Sequence, residues 1–353
     1  SNALHNMDAR GIATGFSFLD NRASFGIVQT LISYTEDDTY GRAFVIGLLN
    51  TLLVSGIGIV LATVLGFLIG IARLSNNWLL SRAAAVYIEV FRNIPLLLQV
   101  FFWYFCVLRA LPAPRQSINV ADAFFLNVRG LYVPAPIAEN GFSVVTVAFV
   151  IAAIGAVFLR KWAKKRKELT GQPFPVFWGT LGVLFGLPLI VFFIAGMPLH
   201  WELPALKGFN FRGGITIIPE LFSMVVALTI FTAASIAEIV RSGIMAVSKG
   251  QVEAAHALGL KNGLTLRFVV IPQAMRVIIP PLTSQYLNLV KNSSLATAVG
   301  YPDLVSVFMG STLNQTGQAV EIIAMTMAVY LTISLVTSVL MNIYNAKNAL
   351  VER

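Results

Sequence analysis

The chain has 353 residues, of which 57% are hydrophobic and only 12% are charged. Its mean hydropathy of +0.77 excludes an ordinary soluble domain and indicates a membrane protein. The net charge of +9 would suit nucleic-acid binding, but the basic residues lie in short loops between apolar runs, as the positive-inside rule describes. A single cysteine, Cys106, excludes an internal disulfide, and His5, His200 and His256 lack metal-ligand spacing.

The segment before the first apolar run, residues 1–42, is mixed and polar. It begins without a methionine and carries no signal-peptide pattern. Ser1-Asn2-Ala3 fits either a cloning remnant or the start of a fragment whose upstream part is missing. The sequence leaves both interpretations open.

Apolar runs long enough to cross a bilayer follow one another along the rest of the chain and predict seven spans. They cover 43–72, 83–111, 142–159, 174–197, 218–245, 277–299 and 319–343. In the first run, Gly66 and Gly70 form a small-xxx-small pair that lets another helix approach closely. Polar connections are predicted at 112–140 and 198–214, and a polar re-entry at Gly300–Asp303.

The third run ends in Arg-Lys-Trp-Ala-Lys-Lys-Arg-Lys, residues 160–167, the strongest basic run in the chain. A nucleic-acid patch would carry interleaved aromatic residues, and this run has only Trp162. The run therefore predicts a cytoplasmic anchor beside anionic membrane lipid, with no nucleic acid as partner.

A polar island at residues 246–272 separates the fifth and sixth runs. Ser248 and Gln251 have the spacing of a capping box at the start of a short helix. Gly259 suits the left-handed position that ends such a helix. The pattern predicts a helix too short to cross a bilayer, outside the membrane.

A second short helix is predicted after the bend at Gly259. Asn262 can cap it, and it should run to about Val270. Pro272 is expected to break or restart the chain, since proline lacks the N–H that a helix interior requires.

The same island carries a specific resemblance. Glu253, Ala254 and Ala255, then Gly259, then Val-Val-Ile-Pro ending at Pro272 resemble the EAA loop of ABC-importer permeases, whose consensus ends Ile-x-Leu-Pro. In that family the loop is the coupling helix that docks in a groove of the cytoplasmic ATPase. The competing interpretation is an ordinary amphipathic cytoplasmic loop.

Two further stretches narrow the resemblance. Gly-Leu-Leu-Asn-Thr-Leu at 47–52 and Glu-Val-Phe-Arg-Asn-Ile-Pro-Leu-Leu at 89–97 look like the polar amino-acid branch of these permeases. The resemblance implies an all-α fold, the type I (MetI-like) permease domain over 43–347. Five spans form its core, and 112–217 is an insertion that adds a pair, as in the longer general L-amino-acid permeases.

The resemblance and the charge pattern together predict the topology. If the basic run at 160–167 and the loop at 246–272 are cytoplasmic, the C-terminus is cytoplasmic and the N-terminal segment lies outside. The expected location is the bacterial inner membrane. The related general amino-acid permeases have a further span upstream, so the chain is expected to be truncated at its start.

The implied function is translocation of polar L-amino acids by one subunit of an ATP-driven importer. Expected partners are a cytoplasmic ABC ATPase, a second permease that is homologous or identical, and a periplasmic amino-acid-binding protein. The chain has neither a phosphate-binding Gly-x-x-x-x-Gly-Lys-Ser/Thr loop nor a catalytic or metal-binding constellation. We expect ATP and Mg²⁺ to bind to the partner ATPase and no enzymatic activity in this chain alone.

Two other classes of function remain open from the residues alone. A secondary transporter driven by an ion gradient would favour paired broken helices, and only one polar, proline-bearing helix is evident. A channel or membrane scaffold would require no ATPase.

Charges inside spans mark candidate functional positions because they are costly in a bilayer. Glu89 and Arg92 are three residues apart, as are Glu238 and Arg241, so each pair can meet on one helix face. Both pairs are predicted near cytoplasmic span ends, either as structural ion pairs or as a gate or a contact with the ATPase subunit.

A polar stripe in the sixth span is the candidate substrate pathway. Polar side chains at this depth must face protein or water, and they either line a pathway or bond to other helices. Pro280 and Pro281 are expected to kink the span. The candidate pathway residues are Ser284, Gln285, Asn288, Lys291 and Asn292, joined more weakly by Asn50, Thr51 and Asn93.

Overall fold

The computed structural model describes residues 15–172 and 174–348, with side chains described up to residue 343. The sequence predictions for Ser1–Ala3 therefore lie outside the described residues. The chain forms two compact units. One combines Ser1–Leu111 with Ile218–Arg353, and the other is Pro112–Ile217, the segment that the sequence predicts to be inserted.

The first unit is helical. Its helices are α1 (Tyr40–Arg73), α2 (Trp78–Asn93), α3 (Leu96–Phe101), α7 (Pro219–Met245), α8 (Lys249–Ala257), α9 (Asn262–Thr265), α10 (Ile271–Asn292), α11 (Leu313–Thr316) and α12 (Ala319–Asn348). Wider π-helical turns at Phe102–Leu108, Leu266–Val270 and Val305–Thr312 extend or join these helices. Short 3-10 turns occur at Ser17–Asp20 and Ser293–Val299.

Helices α1 and α7 form the packed centre of this unit. A Cβ atom at Gly66 would lie 2.6 Å from Ile236 Cβ, and one at Gly70 would lie 2.7 Å from the carbonyl oxygen of Ala237. Only glycine leaves room for so close an approach. The contact that the glycine pair predicts is therefore made, with α7 as the partner helix.

Within the described residues, six helices are long and apolar enough to cross a membrane, and a bent pair makes a seventh if it counts as one span. This agrees with the predicted seven spans. The bent pair consists of Trp78–Asn93 and Leu96–Leu108, whose axes differ by 105°. The bend falls at Pro95, whose missing N–H and restricted φ end the preceding helix.

The second unit contains two apolar helical segments and three small antiparallel sheets. Helix α4 (Phe142–Thr170) packs against α5 (Val176–Leu181), a π-helical turn at Gly182–Gly186, and α6 (Leu187–Ile194). The strands are β1 (Ile118–Val120), β2 (Phe124–Asn127), β3 (Gly130–Val133), β4 (Ala135–Ala138), β5 (Leu199–Glu202), β6 (Ala205–Lys207), β7 (Asn210–Arg212) and β8 (Ile215–Ile217).

The sequence predicts polar connections at 112–140 and 198–214 but does not indicate the strands that both contain. The largest sheet has the order β1-β2-β3-β8 and pairs Leu131 with Ile217; the other two join β4 to β5 and β6 to β7. Each strand has three or four residues, too few for alternation to be visible, and its partner can be far along the chain. The membrane-spanning part is helical, as predicted.

Candidate functional site

Helix α8 is the predicted coupling helix, and its ends follow from local sequence. It begins at Lys249 after the N-cap Ser248, but the Ser248 side chain makes no capping hydrogen bond, so the predicted capping box does not form. Gly259 takes the left-handed conformation with φ +79°. The Gly259 and Leu260 N–H groups donate to the carbonyls of His256 and Ala255, at 2.9 and 3.1 Å. Gly259 thus ends the helix as predicted.

The faces of α8 differ in exposure. Ala255 is buried, with 4% of its surface exposed, where the helix meets the Leu266–Val270 turn and α9. Glu253 and Ala254 are exposed, and Leu258 just beyond the helix is 83% exposed. A carboxylate and an apolar side chain thus lie on the outer surface of an element fixed from behind.

The chain beyond Gly259 differs from the prediction. The second helix begins at Asn262, with Lys261 rather than Asn262 as the N-cap. It does not end near Val270, because a π-helical turn carries the helical backbone into α10. Pro272 stands in the first turn of α10, where a proline is tolerated. Of the two predicted outcomes, the break does not occur, and the α-helix restarts after the π-helical turn.

The polar stripe lies along α10, which continues through Pro280 and Pro281. Its members differ in exposure: Ser284, Asn288 and Lys291 are exposed, and Gln285 and Asn292 are partly buried. The opposite face, with Leu282, Leu289 and Val290, is buried. Ser284, Asn288 and Lys291 therefore lie on the side of α10 that faces away from the packed core, and Gln285 and Asn292 lie at its edge. Their place in a substrate pathway stays a prediction.

A polar cavity of about 230 Å³ lies where α2, α7 and α10 meet. Polar and charged side chains from all three helices line it, together with Ile239, Gly243, Val277 and Pro281. The polar lining residues are Arg92, Ser235, Glu238, Ser242 and Gln285. Gln285 of the polar stripe therefore lines the same cavity as Arg92 and Glu238, one residue from each predicted ion pair.

The two predicted ion pairs behave differently. Arg241 and Glu238 form a bidentate ion pair, in which Nε donates to Oε2 at 2.9 Å and Nη2 donates to Oε1 at 2.5 Å. Glu89 and Arg92 make no ion pair within the described residues; Arg92 instead faces the cavity that Glu238 also lines. Asn93 is exposed and donates to the Glu89 carbonyl at 2.7 Å.

Asn50 and Thr51 lie in a different place from the polar stripe. Both are fully buried. Asn50 Nδ2 donates to the carbonyls of Gln29 and Pro302, each at 2.9 Å, and Thr51 Oγ1 accepts the Leu304 N–H at 3.0 Å. In this structure their polar atoms hold the segment after α10 against α1.

Asp303, at the end of the predicted polar re-entry, is a buried carboxyl group. Oδ1 accepts the Ser306 N–H at 2.8 Å and the Thr297 hydroxyl at 3.2 Å, and Oδ2 accepts the Tyr330 hydroxyl at 3.5 Å. Burial raises the pKa of Asp303 to about 6, against these hydrogen bonds, which lower it. Asp303 lies three residues before Ser306, whose N–H group it accepts. An aspartate at this spacing is a helix-capping signal that can be recognised in the sequence.

Among the described residues no group of three metal-ligating side chains is found. The arrangement therefore offers a protruding short helix, a polar helix face and a small charged cavity. These are elements of binding and of mechanical contact.

Comparison with known proteins identifies the family. A model of the binding-protein-dependent transport system inner membrane component matches residues 169–349. YhdX of Escherichia coli K12, provisionally named an amino-acid ABC transporter permease protein, is 59% identical over 353 residues, all of this chain and 90% of its own. The general L-amino acid transport system permease protein AapQ of Rhizobium johnstonii is 52% identical, covering 100% of this chain and 88% of its own.

A solved structure supports the fold. The crystal structure of an amino acid ABC transporter with histidines has a TM-score of 0.51 and 21% identity, and the match covers 87% of this chain and 95% of that chain. At that identity the likeness concerns the fold alone. With the family model and the two relatives it confirms the predicted resemblance: the chain belongs to the binding-protein-dependent transport system inner membrane components, as an inner-membrane permease of the amino-acid ABC transporter family.

Proposed function

We propose that this permease carries polar and general L-amino acids into the cytoplasm for an ATP-driven importer. The observation that carries the proposal is the exposed Glu253–Ala254 face of α8, held from behind through the buried Ala255 and ended by Gly259. Such an element can pass a motion to the spans that flank it because it is short and its buried face packs against the chain that follows it.

The partners follow from this role. A cytoplasmic ABC ATPase binds ATP and Mg²⁺ and docks on the exposed face of α8. A second permease, identical or homologous, completes the pathway, and a periplasmic amino-acid-binding protein delivers the substrate. The C-terminus lies in the cytoplasm with α8, and this chain hydrolyses nothing by itself.

The substrate pathway follows the polar face of α10 past the cavity at Arg92. Glu238 is neutralised by Arg241, whereas Arg92 faces the cavity without an ion-pair partner among the described residues. A cation in that setting suits the α-carboxylate that all L-amino acids share. Gln285, on the same cavity, can bond to polar groups of the substrate.

Reconstitution tests the proposal. The chain, a co-expressed ATPase and a binding protein are placed in proteoliposomes, and uptake of a mixture of labelled L-amino acids is followed with and without ATP inside. We expect uptake only with ATP and with all the partners present. Uptake driven by an ion gradient without an ATPase would support a secondary transporter instead.

A further inference from the structure

The C-terminal end of α4 in the second unit, which the proposed topology places in the cytoplasm, carries a charged surface that the transport role does not use. Helix α4 has 29 residues. Its apolar part, 142–159, spans ~27 Å at 1.5 Å per residue, close to the ~30 Å of a bilayer's hydrocarbon core. The last three turns therefore extend into the headgroup layer and beyond it.

One side of this extension packs against the start of the next helical segment. Ala163 is 2% exposed. The Trp162 ring meets Phe174 edge to face, with ring centroids 5.5 Å apart, and the Arg166 guanidinium lies 5.4 Å from the Trp162 ring centroid. These contacts fix the rotation of the helix end.

The opposite side of the extension is basic. At 100° per residue, its cations fall within an arc of about 160° that faces away from Trp162 and Ala163. All are exposed, and a single acid, Glu168, lies among them, 3.9 Å from Lys164. The cations are Arg160, Lys161, Lys164, Lys165 and Lys167.

Exposed aromatic side chains lie at the same end of the helical pair. Phe177 and Trp178 open the returning segment and are 67% and 70% exposed, and Trp162 is 49% exposed. Aromatic residues of this kind settle at the boundary between hydrocarbon and headgroups. They set the basic arc at the depth of the lipid phosphates.

We propose that the basic arc of α4 is a binding surface selective for anionic phospholipid headgroups. Five cations lie on a fixed helix face at the depth of the lipid phosphates, and they form a surface complementary to negatively charged headgroups. The aromatic residues beside them lie at the boundary between headgroups and acyl chains. Lipid bound there would hold the inserted pair of helices at a set depth.

The test measures which lipid stays on the purified full-length chain. The protein is equilibrated in nanodiscs of phosphatidylcholine with a minor share of phosphatidylglycerol, extracted with mild detergent and analysed by native mass spectrometry. We expect phosphatidylglycerol to be enriched. The triple substitution Lys161→Gln, Lys164→Gln, Lys165→Gln should lower the enrichment about tenfold or more.

A matched control removes the same charge elsewhere in the unit, by Arg115→Gln, Lys207→Gln and Arg212→Gln, and should keep the enrichment. Equal enrichment in the wild type and the Lys161/Lys164/Lys165 variant would overturn the proposal. Should that variant fail to insert, the wild type is tested at salt near 1 M, where charges are screened beyond about 3 Å. The high salt should abolish the enrichment of phosphatidylglycerol. Enrichment that persists at this salt would contradict the proposal.

Discussion

The backbone N–H of Leu304 donates to Thr51 Oγ1 over 3.0 Å, joining positions 253 residues apart in the chain. The neighbouring Asn50 side chain donates to the Pro302 carbonyl, and the Tyr301 hydroxyl donates to the Asn50 carbonyl at 3.1 Å. The Thr51–Leu304 and Tyr301–Asn50 bonds are buried, and the Asn50–Pro302 bond is partly buried, so these polar groups have few water molecules as alternative partners. The segment 300–304 is thereby fixed to α1.

Replacing Thr51 by valine should destabilise the permease without changing its shape. Valine matches threonine in volume but cannot accept the Leu304 N–H, which would stay buried and unpaired at a cost of about 1–3 kcal/mol. Thermal unfolding in detergent would show a lower midpoint. Thr332→Val is the control, because among the described residues that exposed hydroxyl bonds only to the Ala328 carbonyl. Equal shifts for both variants would refute the role of Thr51.

Asp303 should make the stability of the permease fall as pH rises. Its folded pKa of about 6 lies above the ordinary carboxyl value of 3.8, so the folded state holds the proton more tightly. Between about pH 4 and 6 the unfolded state therefore binds fewer protons, and stability drops by on the order of 3 kcal/mol.

Asp303→Asn separates this effect from all other titrations. Asparagine can still accept the Ser306 N–H but does not ionise. The unfolding midpoint of each protein is measured at pH 4.5 and at pH 7.5. The midpoint of the variant, relative to that of the wild type, should be higher at pH 7.5 than at pH 4.5. An identical pH dependence in both proteins would show that Asp303 does not titrate in this range.

Gly66→Ala should force α1 and α7 apart. The added methyl group would lie 2.6 Å from Ile236 Cβ, and overpacking of this kind costs about 1–3 kcal/mol. Gly56→Ala in the same helix is the control, since a Cβ there meets no atom within 4 Å, and it should stabilise slightly through helix propensity. Similar effects of the two substitutions on the unfolding midpoint would argue against close packing at Gly66.

Arg92→Gln should weaken substrate use rather than assembly. The guanidinium faces the cavity on α2, and loss of a charge-assisted bond to a carboxylate is expected to raise KM for uptake about tenfold or more. Arg82→Gln, which removes an exposed charge from the same helix, should leave KM unchanged. An unaltered KM in the Arg92 variant, with normal ATPase association, would remove Arg92 from the pathway.

Features encoded locally could be predicted from the sequence. The spans follow from apolar length, Gly66 and Gly70 from their spacing, and Gly259 from the need for a left-handed residue after a short helix. The sequence left open whether Pro272 breaks or restarts the chain, and the π-helical turn before it, which carries the helical backbone into α10, could not be predicted from it.

Features that depend on distant partners could not be predicted. The strand pair Leu131–Ile217 and the Thr51–Leu304 bond join segments far apart in the chain. The sequence of neither segment indicates which segment is its partner. The spacing of Glu89 and Arg92 predicts an ion pair on one helix, and the structure instead places Arg92 at a cavity shared with Glu238 of α7. Local spacing cannot choose between such partners.

The central claim is that α8 docks on a cytoplasmic ATPase, and a pull-down in mild detergent tests it most directly. The chain is co-expressed with candidate ATPases as the wild type, as Glu253→Lys, and as the control Glu202→Lys on exposed strand β5. We predict that the wild type and the control retain an ATPase and that Glu253→Lys loses it. Retention by all three, or by none with every partner expressed, would contradict the coupling role of α8.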